Sequence, residues 1–115
     1  MPLIKVQTSI TAPEKAEADK LLKQLSALLA QQLGKPESYV MTALEANVPM
    51  TFAGTPEPTC YVEIKSIGLP TEKAKPMSQE FCQALNQVLG IPIERIYIEF
   101  ADVPRALWGW KGTTF

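Results

Sequence analysis

Two stretches of this chain repeat each other, and that repeat constrains the fold more than any other feature. Leu33-Gly34-Lys35-Pro36 and Leu89-Gly90-Ile91-Pro92 share the pattern L-G-x-P, and each leads within a few residues into a β-rich run. Each also follows a helical pattern. Leu21, Leu22, Leu25, Leu28, Leu29 and Leu33 recur at steps of three and four, which predicts one apolar helix face from about Pro13 to Leu33. Thr11 and Glu14 have capping-box spacing and place the helix start near there. Phe81, Leu85, Val88 and Leu89 repeat the pattern over roughly Thr71 to Leu89, with Pro76 confined to the first turn or two. Gly34 and Gly90 suit the left-handed position at a helix stop, and the proline two residues later blocks continuation.

Strands bracket both helices: Leu3 to Ile10, Val40 to Ala46, Cys60 to Ile67 and Arg95 to Phe100. Between the halves, Pro49 to Pro58 is rich in Pro, Gly and Thr and reads as a loop. The order is therefore β-α-β twice, in pseudo-repeats spanning about 2–46 and 59–101, with a tail at 102–115 in one domain. Two right-handed βαβ units predict an α/β (α+β) fold, a four-stranded sheet with two helices on one face. Tyr61-Val62-Glu63-Ile64 and Ile96-Tyr97-Ile98 carry apolar residues in quantity, so the uncovered face is expected to pack against other subunits.

At 115 residues, such a chain buries about two-thirds of its unfolded surface and needs no staples. Formal net charge is −1 and no Lys/Arg run stands out, so neither nucleic acid nor an anionic membrane is the natural partner. There is no histidine, which removes the commonest metal ligand and the usual general base together. Cys60 and Cys82 make no C-x-x-C and read as buried small hydrophobes. No basic-then-apolar leader opens the sequence and no run approaches a membrane span, so a cytoplasmic protein is expected, any export being leaderless.

Met1-Pro2 opening directly into a strand, Gly34-Lys35-Pro36 with Tyr39, and Ser66-Ile67-Gly68 closing the third strand form an ordered set. Arg95-Ile96-Tyr97-Ile98 and the tail Gly109-Trp110 with Thr114-Phe115 complete it. In that order the chain resembles the macrophage migration inhibitory factor family of the tautomerase superfamily, from Met1 to Phe115. The resemblance implies two βαβ units per subunit, assembled as a homotrimer. It further implies that Pro2, once Met1 is removed, is a secondary amine acting as acid–base catalyst.

Such an amine must be neutral near pH 7, whereas an α-amino group titrates at about 7.7–8.0. An apolar pocket disfavours the ammonium, and a nearby cation such as Lys35 disfavours it further. A base of this kind removes a proton α to a carbonyl and returns it one or two atoms away, which is keto–enol tautomerisation without metal or cofactor. A retained Met1 would make the proline nitrogen a tertiary amide, which is not basic.

Lys35 would hold a substrate carboxylate. Its repeat partner is Ile91, so the helix stop does not itself require a lysine. The resemblance assigns substrate binding to the Ser66–Ile67 segment through the isoleucine backbone. It assigns Tyr97 to a neighbouring subunit's site, and pocket walls to Tyr39, Trp108, Trp110 and Phe115. Glu99 stands where vertebrate members have asparagine, and Trp108 replaces a smaller aliphatic residue, so both bear on substrate preference. The family's C-x-x-C falls at Thr59 to Val62, where only Cys60 is present, which argues against thiol–disulfide chemistry.

The activity implied is tautomerisation of arylpyruvates such as phenylpyruvate and of dopachrome-type compounds. The competing reading is a cytokine-like protein that binds a receptor, with vestigial catalysis. A dehalogenase or decarboxylase ranks lower, because those branches use additional arginines and only Arg95 and Arg105 occur here.

Overall fold

The computed structural model describes residues 1–115. Strand β1 (Leu3–Thr8) leads to helix α1 (Lys15–Leu33) and strand β2 (Met41–Glu45). Strand β3 (Cys60–Ser66), helix α2 (Ala74–Leu89) and strand β4 (Ile96–Asp102) repeat the arrangement, and a small hairpin, β5 (Gly109–Trp110) with β6 (Thr113–Thr114), closes the chain. The sheet order is β2-β1-β3-β4. Each βαβ unit pairs its own strands in parallel, and the two units meet through antiparallel β1 and β3.

Both helices end where the glycines predict. Gly34 has φ 62°, its N–H donates to Gln31 O (3.4 Å), and the Lys35 N–H donates to Ala30 O (3.1 Å), a Schellman stop. Gly90 has φ 70° and makes the simpler single bond, N–H to Asn86 O at 2.9 Å. In both halves the proline of L-G-x-P then starts a short 3₁₀ turn, Glu37–Tyr39 and Ile93–Arg95, which the periodicity does not reveal.

The start of α1 differs from expectation. Glu14 precedes the helix in an extended conformation (ψ 151°) and no side chain caps the first turn, so Thr11 and Glu14 form no capping box. Pro13 drives the residue before it toward extended backbone and leaves Thr11 beyond reach of the helix amides. Before α2, Thr71–Lys73 form a 3₁₀ turn rather than α-helix, and Pro76 sits third in the helix, where its missing N–H has no intrahelical partner to lose.

One face of the sheet carries the core. Ile4, Val6, Val62 and Ile64 are fully buried against Leu21, Leu25, Leu29, Met77, Phe81 and Leu85 from the helices. Each such side chain contributes about 1.5–3 kcal/mol relative to exposure. The opposite face is mixed. Alternation sends Val62, Ile64, Ile96 and Ile98 to the helix side, leaving Leu3, Met41, Ala43, Tyr61, Tyr97 and Ala101 outward among the charged and polar Lys5, Gln7, Glu63, Lys65 and Glu99. Lys5 bridges Glu45 (3.3 Å) and Glu63 (3.9 Å) across neighbouring strands, and the Tyr61 hydroxyl donates to Glu99 at 3.2 Å.

Cys60 and Cys82 are both free thiols. Burial, with a smaller contribution from Cys82, pushes the Cys60 thiol from 9.0 up to about 12. Cys60 is therefore expected to resist iodoacetamide in the native protein at pH 8 and to react once denaturant opens the core. Between pH 9.0 and about 12 the unfolded chain loses this proton while the folded chain keeps it, so stability falls as pH rises through that window. A denaturation midpoint that drops equally in Cys60→Ala over the same range would refute this assignment.

Candidate active site

The topology brings four chain segments to one end of the sheet. Because β1 and β2 are parallel, α1 must return the chain to the end where β1 begins, which sets Lys35 beside Pro2. Antiparallel β3 finishes at that same end with Ser66 and Ile67. Strand β4, parallel to β3, finishes there too and hands on to the turn at Arg105–Leu107. Pro2 itself is buried, and its carbonyl accepts the Met41 N–H at 3.0 Å, so the strand pairing locks its position.

Two adjoining hollows meet at Met1 and Pro2. The larger is a cleft of about 650 Å³ walled by Tyr39, Trp108, Trp110 and Phe115. Trp110 and Phe115 stack at 5.2 Å, and Tyr39 meets both edge-on at 5.6 and 6.2 Å. The smaller, about 110 Å³, is bordered by Lys35, Ile67, Arg105 and Phe115. The hairpin of β5 and β6 builds part of the wall, with Phe115 N–H donating to Trp108 O at 3.2 Å. Asp102 pins the loop that carries Ile67: its Oδ1 accepts the N–H groups of Gly68 (2.9 Å) and Leu69 (3.1 Å).

The amine at the chain start, on Met1, is held below its ordinary value of 8.0, first by loss of solvation and then by the charges of Lys35 and Arg105.

Of the residues singled out from sequence, Pro2, Lys35, Tyr39, Ile67, Trp108, Trp110 and Phe115 thus converge. Three do not. The Ser66 side chain is fully buried on the core face, its hydroxyl meeting the Ile67 carbonyl at 3.4 Å, so it does not line either hollow. Tyr97 and Glu99 lie on the outward face, Tyr97 near the start of β4 and Glu99 at its middle. Tyr97 pairs with Tyr61, itself opposite Gln7, five residues along β1 from Pro2, or about 17 Å of strand. Tyr97 packs on Phe52 (4.9 Å) and is 65% exposed, out of reach of its own chain's Pro2.

Arg105 was not among the residues the sequence singles out for binding, because nothing in its spacing marks it. Arg95 was also missed as a structural residue. It is buried, and its guanidinium donates to four carbonyls of the 49–58 loop, those of Phe52, Thr55, Glu57 and Pro58.

A small α+β subunit of two βαβ units, with Pro2 at the head of an aromatic cleft, has the fold of the tautomerase superfamily. The family model described as "Macrophage migration inhibitory factor (MIF)" matches residues 1–115. A migration inhibitory factor homologue of Trichuris trichiura is 35% identical over 116 residues, covering all of both chains. The crystal structure of a homologue from Prochlorococcus marinus superposes with a TM-score of 0.94 at 55% identity over 98% of each chain. The factor from Trichinella spiralis superposes with a TM-score of 0.90 at 31% identity, over 98% of this chain and 99% of its own. The chain belongs to the macrophage migration inhibitory factor family, which includes tautomerases and cytokine-like proteins. No helix is long and apolar enough to cross a membrane.

Proposed function

We propose that this protein is a keto–enol tautomerase for phenylpyruvate-like, and also dopachrome-like, substrates, with the processed Pro2 amine as its base and acid. The observation that carries this reading is the burial of Pro2 where an aromatic cleft meets a cationic hollow. The neutral amine takes the proton from the carbon next to the ketone. The electron pair moves to the carbonyl oxygen, and a proton delivered there completes the enol. Lys35 holds the carboxylate, the backbone at Ile67 contacts the substrate head, and the aromatic walls take the ring. Tyr97 lies too far from its own Pro2, which supports a homotrimer in which a neighbour supplies it. Glu99, hydrogen-bonded to Tyr61, sits in the same outward row and would tune the substrates accepted at that boundary.

The test is a phenylpyruvate tautomerase assay on two forms separated by intact mass, one beginning at Pro2 and one retaining Met1. The processed form is expected to turn over and the other to be inert, since a tertiary amide has no basic nitrogen. The acid limb of the pH–rate profile should lie below the titration of a free prolyl amine, because burial of Pro2 and the cations Lys35 and Arg105 bordering the same hollow oppose an ammonium there. Equal turnover by both forms would overturn the mechanism. No turnover by the processed form, with receptor binding retained in Pro2→Gly, would instead place the protein among the cytokine-like members.

A further inference from the structure

We infer that Arg105 is a second carboxylate-binding cation of this site, which with Lys35 grips the α-keto acid head of the substrate in the hollow beside Pro2. The inference rests on the tautomerase reading for its substrate but on separate observations for its geometry. Arg105 and Lys35 both border the hollow of about 110 Å³ that Pro2 also borders, and no Asp or Glu side chain lines it. None of the chain's ion pairs engages either cation. Lys20, Lys23, Lys73, Lys75 and Lys111 also lack a carboxylate partner, so what sets this hollow apart is that two uncompensated cations border it together with Pro2.

Charge allocates the two halves of the substrate. Both cations border the smaller hollow beside Pro2, which therefore takes the keto-carboxylate head. The ring is left to the adjoining aromatic cleft of about 650 Å³. Division of labour between the cations follows from their shapes. Lysine is a point charge on a flexible stem, whereas the planar guanidinium matches both carboxylate oxygens at once and fixes orientation as well as charge. Arg105 sits on a 3₁₀ turn at the end of β4 and immediately precedes Ala106, Leu107 and Trp108, so the same short segment supplies the anion grip and a wall of the ring site. The favoured class is therefore an aryl-bearing α-keto monocarboxylate rather than a neutral ketone.

Three processed proteins test this: wild type, Arg105→Ala and Arg105→Lys, each assayed with phenylpyruvate and with its methyl ester. Arg105→Ala should raise KM for the acid by about tenfold or more, the loss expected for a charge-assisted bond, and leave KM for the ester unmoved. It should also move the acid limb of the rate profile upward, because one of the charges opposing the ammonium is gone. Arg105→Lys should keep the limb in place while KM for the acid rises part of the way. Binding of phenylpyruvate read by tryptophan fluorescence gives a measure independent of turnover, and Arg105→Ala should weaken it by a similar factor. Unchanged acid binding and KM in Arg105→Ala would overturn the inference, as would an equal rise for the ester, which marks a merely structural residue. A wild type that binds phenylpyruvate through Arg105 but does not turn it over would refute the tautomerase reading and leave the grip standing.

Discussion

Replacing Pro2 by glycine in the processed chain should remove most of the tautomerase activity while leaving a folded protein. Glycine keeps an amine at the chain end but loses the ring that fills a buried position and fixes where the nitrogen points. A positioned acid–base group contributes about 10²–10⁴-fold to rate, so a loss of at least ~10²-fold in kcat is the expected result. The fold should survive because the Pro2 carbonyl, which accepts the Met41 N–H at 3.0 Å, belongs to the backbone and remains. Turnover within a few-fold of the parent, with the circular dichroism spectrum unchanged, would sink the proline mechanism.

Arg95→Met should be the more damaging change to stability. The guanidinium spans four carbonyls between 2.9 and 3.3 Å and is the main tie between β4 and the 49–58 loop. It also lies over the Phe52 ring at 5.3 Å, and Phe52 in turn packs against Tyr97. Methionine fills much of the volume but leaves the Glu57 and Pro58 carbonyls without donors, while those of Phe52 and Thr55 keep only each other's backbone N–H. At about 1–3 kcal/mol for each polar group left buried and unpaired, with partial relaxation, a net loss of about 3 kcal/mol is expected. That corresponds to a Tm lower by roughly 10 °C, read by thermal denaturation. Lysine at this position restores charge but not the fork, so Arg95→Lys should recover only part of the loss. A denaturation midpoint unmoved in Arg95→Met would show that the loop is held by its own turn at Phe52 and Thr55 instead.

The helices were legible because burying one face imposes a 3.6-residue period, and Leu21, Leu25 and Leu29 lie on it. Their stops were legible because a left-handed residue strongly favours glycine, and Gly34 and Gly90 occupy those positions at φ 62° and 70°. What the period-two alternation of a strand cannot say is which of its faces turns inward. Val62 and Tyr61 are both apolar enough to be read as buried, and only the pairing of β3 with β1 and β4 sends Val62 to the helices and Tyr61 outward. The open face is therefore a mixture, with Leu3, Met41 and Tyr97 set among Lys5, Glu63 and Glu99. The capping box failed because spacing alone ignored what Pro13 does to the chain before it.

From local periods and residue types alone came the two βαβ units and their stops at glycine, while the chemistry of an amino-terminal proline came from the chain's resemblance to a family. The tertiary structure decided which charges surround that proline. Arg105 reaches Pro2's end of the sheet only because β3 runs antiparallel to β1 and β4 parallel to β3, and the same register carries Tyr97 to the other end and leaves Glu99 midway. Neighbours separated by about a hundred residues are set by strand pairing, and strand pairing is settled only when both faces of the sheet and both helices pack together.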